Sequence, residues 1–257
     1  MLTSALLEQA QEFESRITAL RRAIHAEPEL GLETPRTMAK VRADLADLPL
    51  SWKEGPSCTG AVAILQGTKP GPAVLLRGDM DALPIAEDTG LDFASKIEGR
   101  MHACGHDGHT VMLLGAAAKL VADPPKGTVH FIFQPAEEGR GGARRMVEEG
   151  LFKDFPCDMV FGLHNMPGLA IDQMAVVAGP QLASSDSWWV TFQGVGTHGA
   201  KPHLGRDPIY AAGHFLTALQ SIPGRIVDPL QPVVVSACSV QAGDPNALNV
   251  IPDFVKI

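Results

Sequence analysis

Between Met101 and Thr110 the sequence MHACGHDGHT places a thiol, three imidazoles and a carboxylic acid within ten residues. Cys104 and His106 are two positions apart in a stretch with no apolar period, so both can reach one point. A thiolate beside an imidazole is a borderline-soft donor pair that suits zinc and also accommodates manganese, cobalt or nickel. Taken singly, each histidine reads more simply as a solvated residue of a capping loop. It is the density of His102, Cys104, His106, Asp107 and His109 beside a predicted helix start that points to a metal. Glu137 and Glu138 follow a predicted strand and precede the glycine-rich GRGG. Adjacent carboxylates ordinarily diverge into solvent, but at a strand end one can ligate a cation while its neighbour handles a proton. Metal-assisted hydrolysis needs that division of labour. His164, closing the run FGLH, adds an imidazole. Asp79 and Asp81 alternate beyond LLRG and are expected to point to opposite sides, one of them orienting a ligand from behind.

The elements that carry these residues follow from apolar spacing. Leu6, Leu7, Ala10, Phe13, Ile17 and Leu20 predict an amphipathic opening helix. A second helix is predicted over Thr34–Leu48, with Thr34 as cap and Pro35 in the first turn. Gly60–Leu65, Ala73–Leu76, Thr128–Phe133 and Met159–Leu163 read as buried strands. Thr110–Val121 and Ala143–Glu149 read as helices between them. This alternation predicts an α/β layer with a mostly parallel central sheet flanked by helices, and ligands gathering where the strands end. The character changes near Gly179: Ser187–Phe192 reads as a strand, Asp207–Leu219 as a helix, Pro232–Val240 as a strand, and Asn249–Ile257 as the start of another. The expected organisation is a metal-binding domain over 1–183 and an α+β unit over 184–257. Trp188 and Trp189 are expected to face opposite ways, one to the core. Cys58, Cys157 and Cys238 read as small buried hydrophobes, His25 as structural, and His130, His203 and His214 as packing or surface residues.

Composition excludes other classes. The 257 residues are 45% hydrophobic and 19% charged, with a net charge of −8. No basic block suggests nucleic acid. No apolar run is long enough for a membrane span, and the amino terminus lacks a signal-peptide pattern. Four scattered cysteines fit a reducing cytoplasm better than a disulfide framework.

In order along the chain, RRAIHAEPELGLET, RGDMDALPIAE, MHACGHDGHTVMLLGAA, FIFQPAEEGRGGA, FGLHNMPG, GTHGAKPHLGRDPI and NVIPD resemble the M20 metallopeptidase family. The likeness is to its aminoacylase, hippurate-hydrolase and auxin-conjugate-hydrolase branch, and it covers nearly the whole chain. It implies a zinc-exopeptidase-like domain holding two divalent metals, with an inserted lid and dimerisation domain. By motif match the ligands are Cys104, His106, Glu138 and His164, with Cys104 at the bridging position. Glu137 matches the general base, and Asp81 the acidic residue behind the metals. Asp79 stands where other branches carry a metal-binding histidine, a change for which His106 compensates. His198 of GTHGA matches a lid histidine that holds the oxyanion, often across a dimer interface, and Asn249 of NVIP a substrate contact.

The implied reaction is hydrolysis of an N-acyl amino acid to a carboxylic acid and a free amino acid. A dipeptidase and a deacetylase of the N-acetyl-diaminopimelate type share the same metal motifs. The family pattern also includes a segment returning to the metal domain with a fifth ligand, a histidine, which nothing in these residues matches. The expectation is therefore a fragment whose own activity is weak or absent, or an inert module that binds metal or dimerises, with the full-length parent a homodimer.

Overall fold

A computed structural model describes every residue except Met1, Pro56, Ser57 and Asp172. The chain divides into two compact units, Met1–Leu169 and Ala170–Ile257.

In the first unit, α1 (Leu2–Gln11) and α2 (Glu14–His25) replace the single opening helix expected, broken by a turn at Glu12 and Phe13. Next come α3 (Pro35–Asp44), β1 (Ser51–Gly55), β2 (Cys58–Gln66), β3 (Ala73–Asp79), α4 (His106–Ala122), β4 (Thr128–Gln134), α5 (Gly142–Glu148), α6 (Leu151–Asp154) and β5 (Met159–Gly162). Thr34 occupies the cap position of α3, but its side chain caps nothing. The buried Glu29 carboxylate takes that role, accepting from Arg36 N at 3.1 Å and Thr37 N at 2.8 Å. An oxygen acceptor at a helix start satisfies otherwise orphaned amides whichever residue supplies it.

The strand order is β1-β2-β4-β3-β5. β3 is parallel to both β4 and β5, whereas β2 runs antiparallel to β1 and β4. Four of the five strands in this sheet thus point one way, which makes it the mostly parallel sheet expected, with β2 as its reversed member. Alternation along β4 splits the core in two. Phe131 and Phe133 join Leu65, Ile24 and Leu114 on one face. Ile132 joins Val62, Met146 and Phe155 on the other. Each such side chain removed from water contributes about 1.5–3 kcal/mol, so the sheet is fixed from both faces.

β5 departs from expectation. A buried strand is expected, yet Met159, Val160 and Phe161 remain about half exposed, since β5 is an edge strand that pairs with β3 on one side only. An apolar run encodes what can be buried, and neighbours decide whether it is.

The second unit contains β6 (Thr191–Gln193), β7 (Thr197–His198), α7 (Pro208–Leu219), β8 (Gln241–Ala242), β9 (Val250–Ile251) and β10 (Phe254–Lys256), with short helical turns at Pro202–Leu204 and Ile222–Ile226. The sheet β6-β10-β8 packs against α7 through Val255, Phe192, Phe215 and Trp188. Asp207 caps α7, accepting from Ile209 N at 2.8 Å. Trp188 packs inward on Phe215 while Trp189 is 70% exposed. The strand expected over Pro232–Val240 does not form: those residues have no ladder partner among the described residues, and Val234 stands in solvent. Alternation without a neighbouring strand leaves an extended segment. Cys238 is exposed, since its neighbour Ala237 is the one that packs inward, and Cys157 lies half-buried at the margin of the Val62–Ile132 cluster, contrary to the buried reading of both; the Cys58 side chain lies outside the described residues.

Candidate metal centre

The sheet register assembles the site. Asp79, last in β3, pairs with Gln134, last in β4, so Met80-Asp81 and Pro135–Glu138 leave the sheet side by side. Gly162 of β5 pairs with Arg77, which brings His164 to the same edge. Asp81 ties two of these segments together: its carboxylate accepts from Glu137 N at 2.9 Å and Glu138 N at 3.1 Å. The turn it holds passes through Ala136, fully buried at φ 55°, a left-handed conformation that costs a non-glycine residue about 1–3 kcal/mol and is kept only where its surroundings impose it.

α4 closes the site. It starts four residues before the expected Thr110, so His106 lies in its first turn and not in an irregular stretch. The polar HDGH segment carries no apolar period because its side chains are buried against polar partners: His106 and His109 against the end of β3 and the residues after it, and Asp107 against Arg21 and His25 of α2. Gly105 precedes it at φ 89°, with the Asn165 side chain against the position a methyl group would take. Thr110 Oγ1 donates to Asp79 O at 2.7 Å and fixes the helix to β3.

His106 is fully buried, and its Nδ1 donates to Asp81 O at 2.8 Å. That bond aims Nε2 at Glu137 Oε2, 3.7 Å away, and at Glu138 Oε1, 3.8 Å away. Cys104 Sγ and His164 Nε2 are 3.2 Å apart, and His164 Nδ1 donates to Asn165 O at 2.6 Å. Both histidines thus spend Nδ1 on a backbone carbonyl and present Nε2, the orientation that metal-ligating imidazoles adopt.

Three donor groups result: Cys104 with His106 and His164, His106 with Glu137 and Glu138, and Asp79 with His106 and His109, the atoms of each lying within 4.8 Å of one another. Ligands on one cation at about 2.0–2.3 Å stand roughly 3–4 Å apart, so the spacing fits. The stronger test is electrostatic. His106 Nε2 and Glu138 Oε1 are shielded from water and take no hydrogen bond, a loss of about 1–3 kcal/mol each unless something else binds them. Burial together with Glu138, Glu137 and Asp79 pushes the Cys104 thiol up to about 12. Burial opposes charge on His106, yet Asp81 and Asp79 outweigh it and raise its pKa. The pocket thus gathers carboxylates and a thiol around a buried imidazole, a donor set that a bound cation would stabilise.

Asp79 and Asp81 engage different partners and approach opposite ring nitrogens of His106. Both are buried: one holds the Glu137–Glu138 turn, and the other engages Arg77 and His109. Burial pushes Asp79 upward, but the His109 hydrogen bond and the charges of Arg77 and His106 hold it below the usual carboxylate range. His198 and Asn249 lie in the second unit as neighbours: His198 pairs with Val250, and Gly199 N donates to Asn249 O at 2.7 Å. Asn165 and Arg77 gave no signal in sequence, since neither is a metal ligand by type. His109 was visible only as part of a crowd. His25 is structural in that it clamps Asp107 at 2.9 Å.

These residues form a cluster of potential metal ligands at the edge of an α/β sheet. The profile of Peptidase family M20/M25/M40 matches residues 75–255, and the chain belongs to this family. It is 42% identical over 252 residues to the hippurate hydrolase of Campylobacter jejuni, covering 98% of this chain and 65% of that protein. It is 42% identical over 248 residues to an N-acetylcysteine deacetylase of Bacillus subtilis, covering 95% of this chain and 64% of that one. A crystal structure of a B. subtilis protein, described as a dinuclear metal binding peptidase of family M20, superimposes with a TM-score of 0.68 at 39% identity, over 96% of this chain and 63% of that one. The chain thus spans slightly less than two thirds of the length of these relatives. Among the described residues no helix is long and apolar enough to cross a membrane.

Proposed function

We propose that the protein hydrolyses the amide bond of N-acyl amino acids, releasing a carboxylic acid and a free amino acid. The observation that carries this reading is the convergence of Cys104, His106, Glu138 and His164 around unsatisfied donor atoms, with a second carboxylate, Glu137, beside them. When bound, divalent cations supply Lewis acidity toward a carbonyl and acidify water; zinc, manganese, cobalt and nickel all suit this donor set. Glu137 is 41% exposed, against 22% for Glu138. The less exposed carboxylate, whose Oε1 is shielded, is the natural ligand, and the open one is free to exchange protons. Glu137 takes the proton of the attacking water and returns it to the nitrogen as the C–N bond breaks. Asp81 keeps both glutamates in place through their backbone amides. His198 stabilises the oxyanion and Asn249 contacts substrate, both from a second unit that serves as lid and dimerisation domain. Benzoyl- and acetyl-amino acids are the substrates to test first, in keeping with the relatives; a dipeptide or an N-acetyl-diaminopimelate is the second class. A cytoplasmic homodimer is the form expected.

The test has two parts. Purified chain loaded with Mn2+ or Zn2+ should retain two ions, measured by plasma emission, and lose them in His106→Ala. In the complete reading frame, benzoyl-glycine and N-acetylcysteine should be cleaved. There Glu137→Gln should keep both ions and lose about 10²- to 10⁴-fold in kcat. Loss of metal in that variant would mean that the two glutamates have exchanged roles, and no cleavage of any N-acyl amino acid would end the reading.

A further inference from the structure

The centre contains one histidine that the proposed chemistry leaves unused. His109 is buried in the first turn of α4, three residues after His106. Its Nδ1 is 2.7 Å from Asp79 Oδ1, and its Nε2 is 3.1 Å from Asn165 N. With Nδ1–H donating to the carboxylate, Nε2 is left to accept from the Asn165 amide. The Asn165 side-chain Oδ1 lies 2.6 Å from the same nitrogen; turned end for end, that amide would donate its NH2 to a ring protonated on Nδ1. The Asn165 carbonyl in turn accepts from His164 Nδ1, leaving His164 Nε2 toward Cys104. The His109 and His164 rings also meet near edge-on, centroids 4.7 Å apart. One hydrogen-bonded path therefore runs from β3 through α4 to the loop after β5 and ends on a candidate ligand.

Asp79, His106 and His109 also present donor atoms within 4.8 Å, so His109 has to be weighed as a ligand. The bonding argues against that. Both of its nitrogens are engaged, whereas His106 Nε2 has no partner.

We propose that His109 is a positioning residue: it locks the loop carrying His164 to the buried Asp79, so that His164 Nε2 is presented beside Cys104. This rests on reading the cluster as a metal centre. The loop needs such an anchor because His164 is itself exposed and β5 is bonded along one edge only. Substitution of a residue that orients a ligand typically costs 10- to 100-fold in metal affinity.

The probe is Co2+, followed by its binding isotherm and by the thiolate-to-cobalt absorption that Cys104 gives. His109→Phe keeps a ring against His164 and removes both hydrogen bonds. It should weaken the ion that reports on Cys104 by roughly 10- to 100-fold and alter its absorption. His109→Gln, which retains a donor and an acceptor, should recover part of that loss. In His109→Phe/His164→Ala, affinity should equal that of His164→Ala, since a residue acting through His164 has nothing left to act on. Unchanged cobalt binding in His109→Phe overturns the inference, as does a further loss in the double variant, which would make His109 an independent ligand. A wild-type chain that binds no Co2+ overturns the metal centre itself, and the inference with it.

Discussion

His106 is the residue common to all three donor groups, and its position illustrates how a single side chain is prepared for chemistry. Its Nδ1 is committed to Asp81 O, its ring is fully buried, and its remaining nitrogen faces carboxylates on three residues. Away from the centre, Glu149 shows the same economy in a structural role. It accepts from Thr59 N at 2.6 Å, Thr59 Oγ1 at 2.8 Å and Arg145 Nε at 3.1 Å, which ties β2 to α5. The Thr59 amide, the Thr59 hydroxyl and Arg145 hold its pKa below the ordinary glutamate value. A carboxylate whose folded pKa is depressed stabilises above its unfolded value, near pH 4.5, and that contribution is lost as pH falls through the folded one. Glu149→Gln should therefore lower stability by about 1 kcal/mol at pH 7, and the difference from wild type should shrink toward pH 3. Urea midpoints at the two pH values check this. A gap that is equal or larger at pH 3 would contradict it.

Among the elements, α4 decides whether there is a site. Its far turns pack Val111, Leu114 and Ala117 into the core, while its first turn sends His106 and His109 to the residues at the end of β3 and Asp107 to Arg21 and His25 of α2. The junction is Gly105, where a left-handed backbone and the Asn165 side chain meet. Gly105→Ala puts a methyl group into both constraints. The left-handed conformation by itself costs an L-residue about 1–2 kcal/mol, and displacement of Asn165 should also disturb His164. The expected outcome is a lower urea midpoint together with weaker binding of the ion, measured by cobalt titration. A loss of stability with metal affinity intact would mean that Asn165 does not transmit to the site. The apolar run of α4 was legible from Thr110 onward, but its first turn was not, because periodicity detects faces buried against apolar neighbours and this turn is buried against polar ones.

Taken together, the chain is two units with separate cores, one around Phe131 and Ile132 and the other around Val255. All the candidate ligands lie in the first. Metal removal should consequently act on that unit. At free ion near a hundred times Kd, binding adds about 2.7 kcal/mol to the state that binds. In calorimetry, EDTA should lower the transition of the first unit and leave that of the second in place. A shift of both transitions by the same amount would show that the units unfold as one.

By itself, the sequence determined the layer order of the first unit, because alternating strands and helices with apolar faces have few ways to bury those faces. It determined the donor types as well, since a thiol, imidazoles and paired carboxylates carry their chemistry wherever they stand, and the ordered motifs carried the family. What it left open was decided in three dimensions. Whether β5 is covered and whether residues 232–240 find a partner depend on neighbours distant in sequence, and the oxygen that caps α3 comes from a loop residue seven or eight positions back. The path from Asp79 through His109 and Asn165 to His164 also depends on distant neighbours, its links joining positions up to 56 residues apart. Hydrogen bonds of that kind are set by strand register and helix placement, and neither is written in the spacing of residues along one segment.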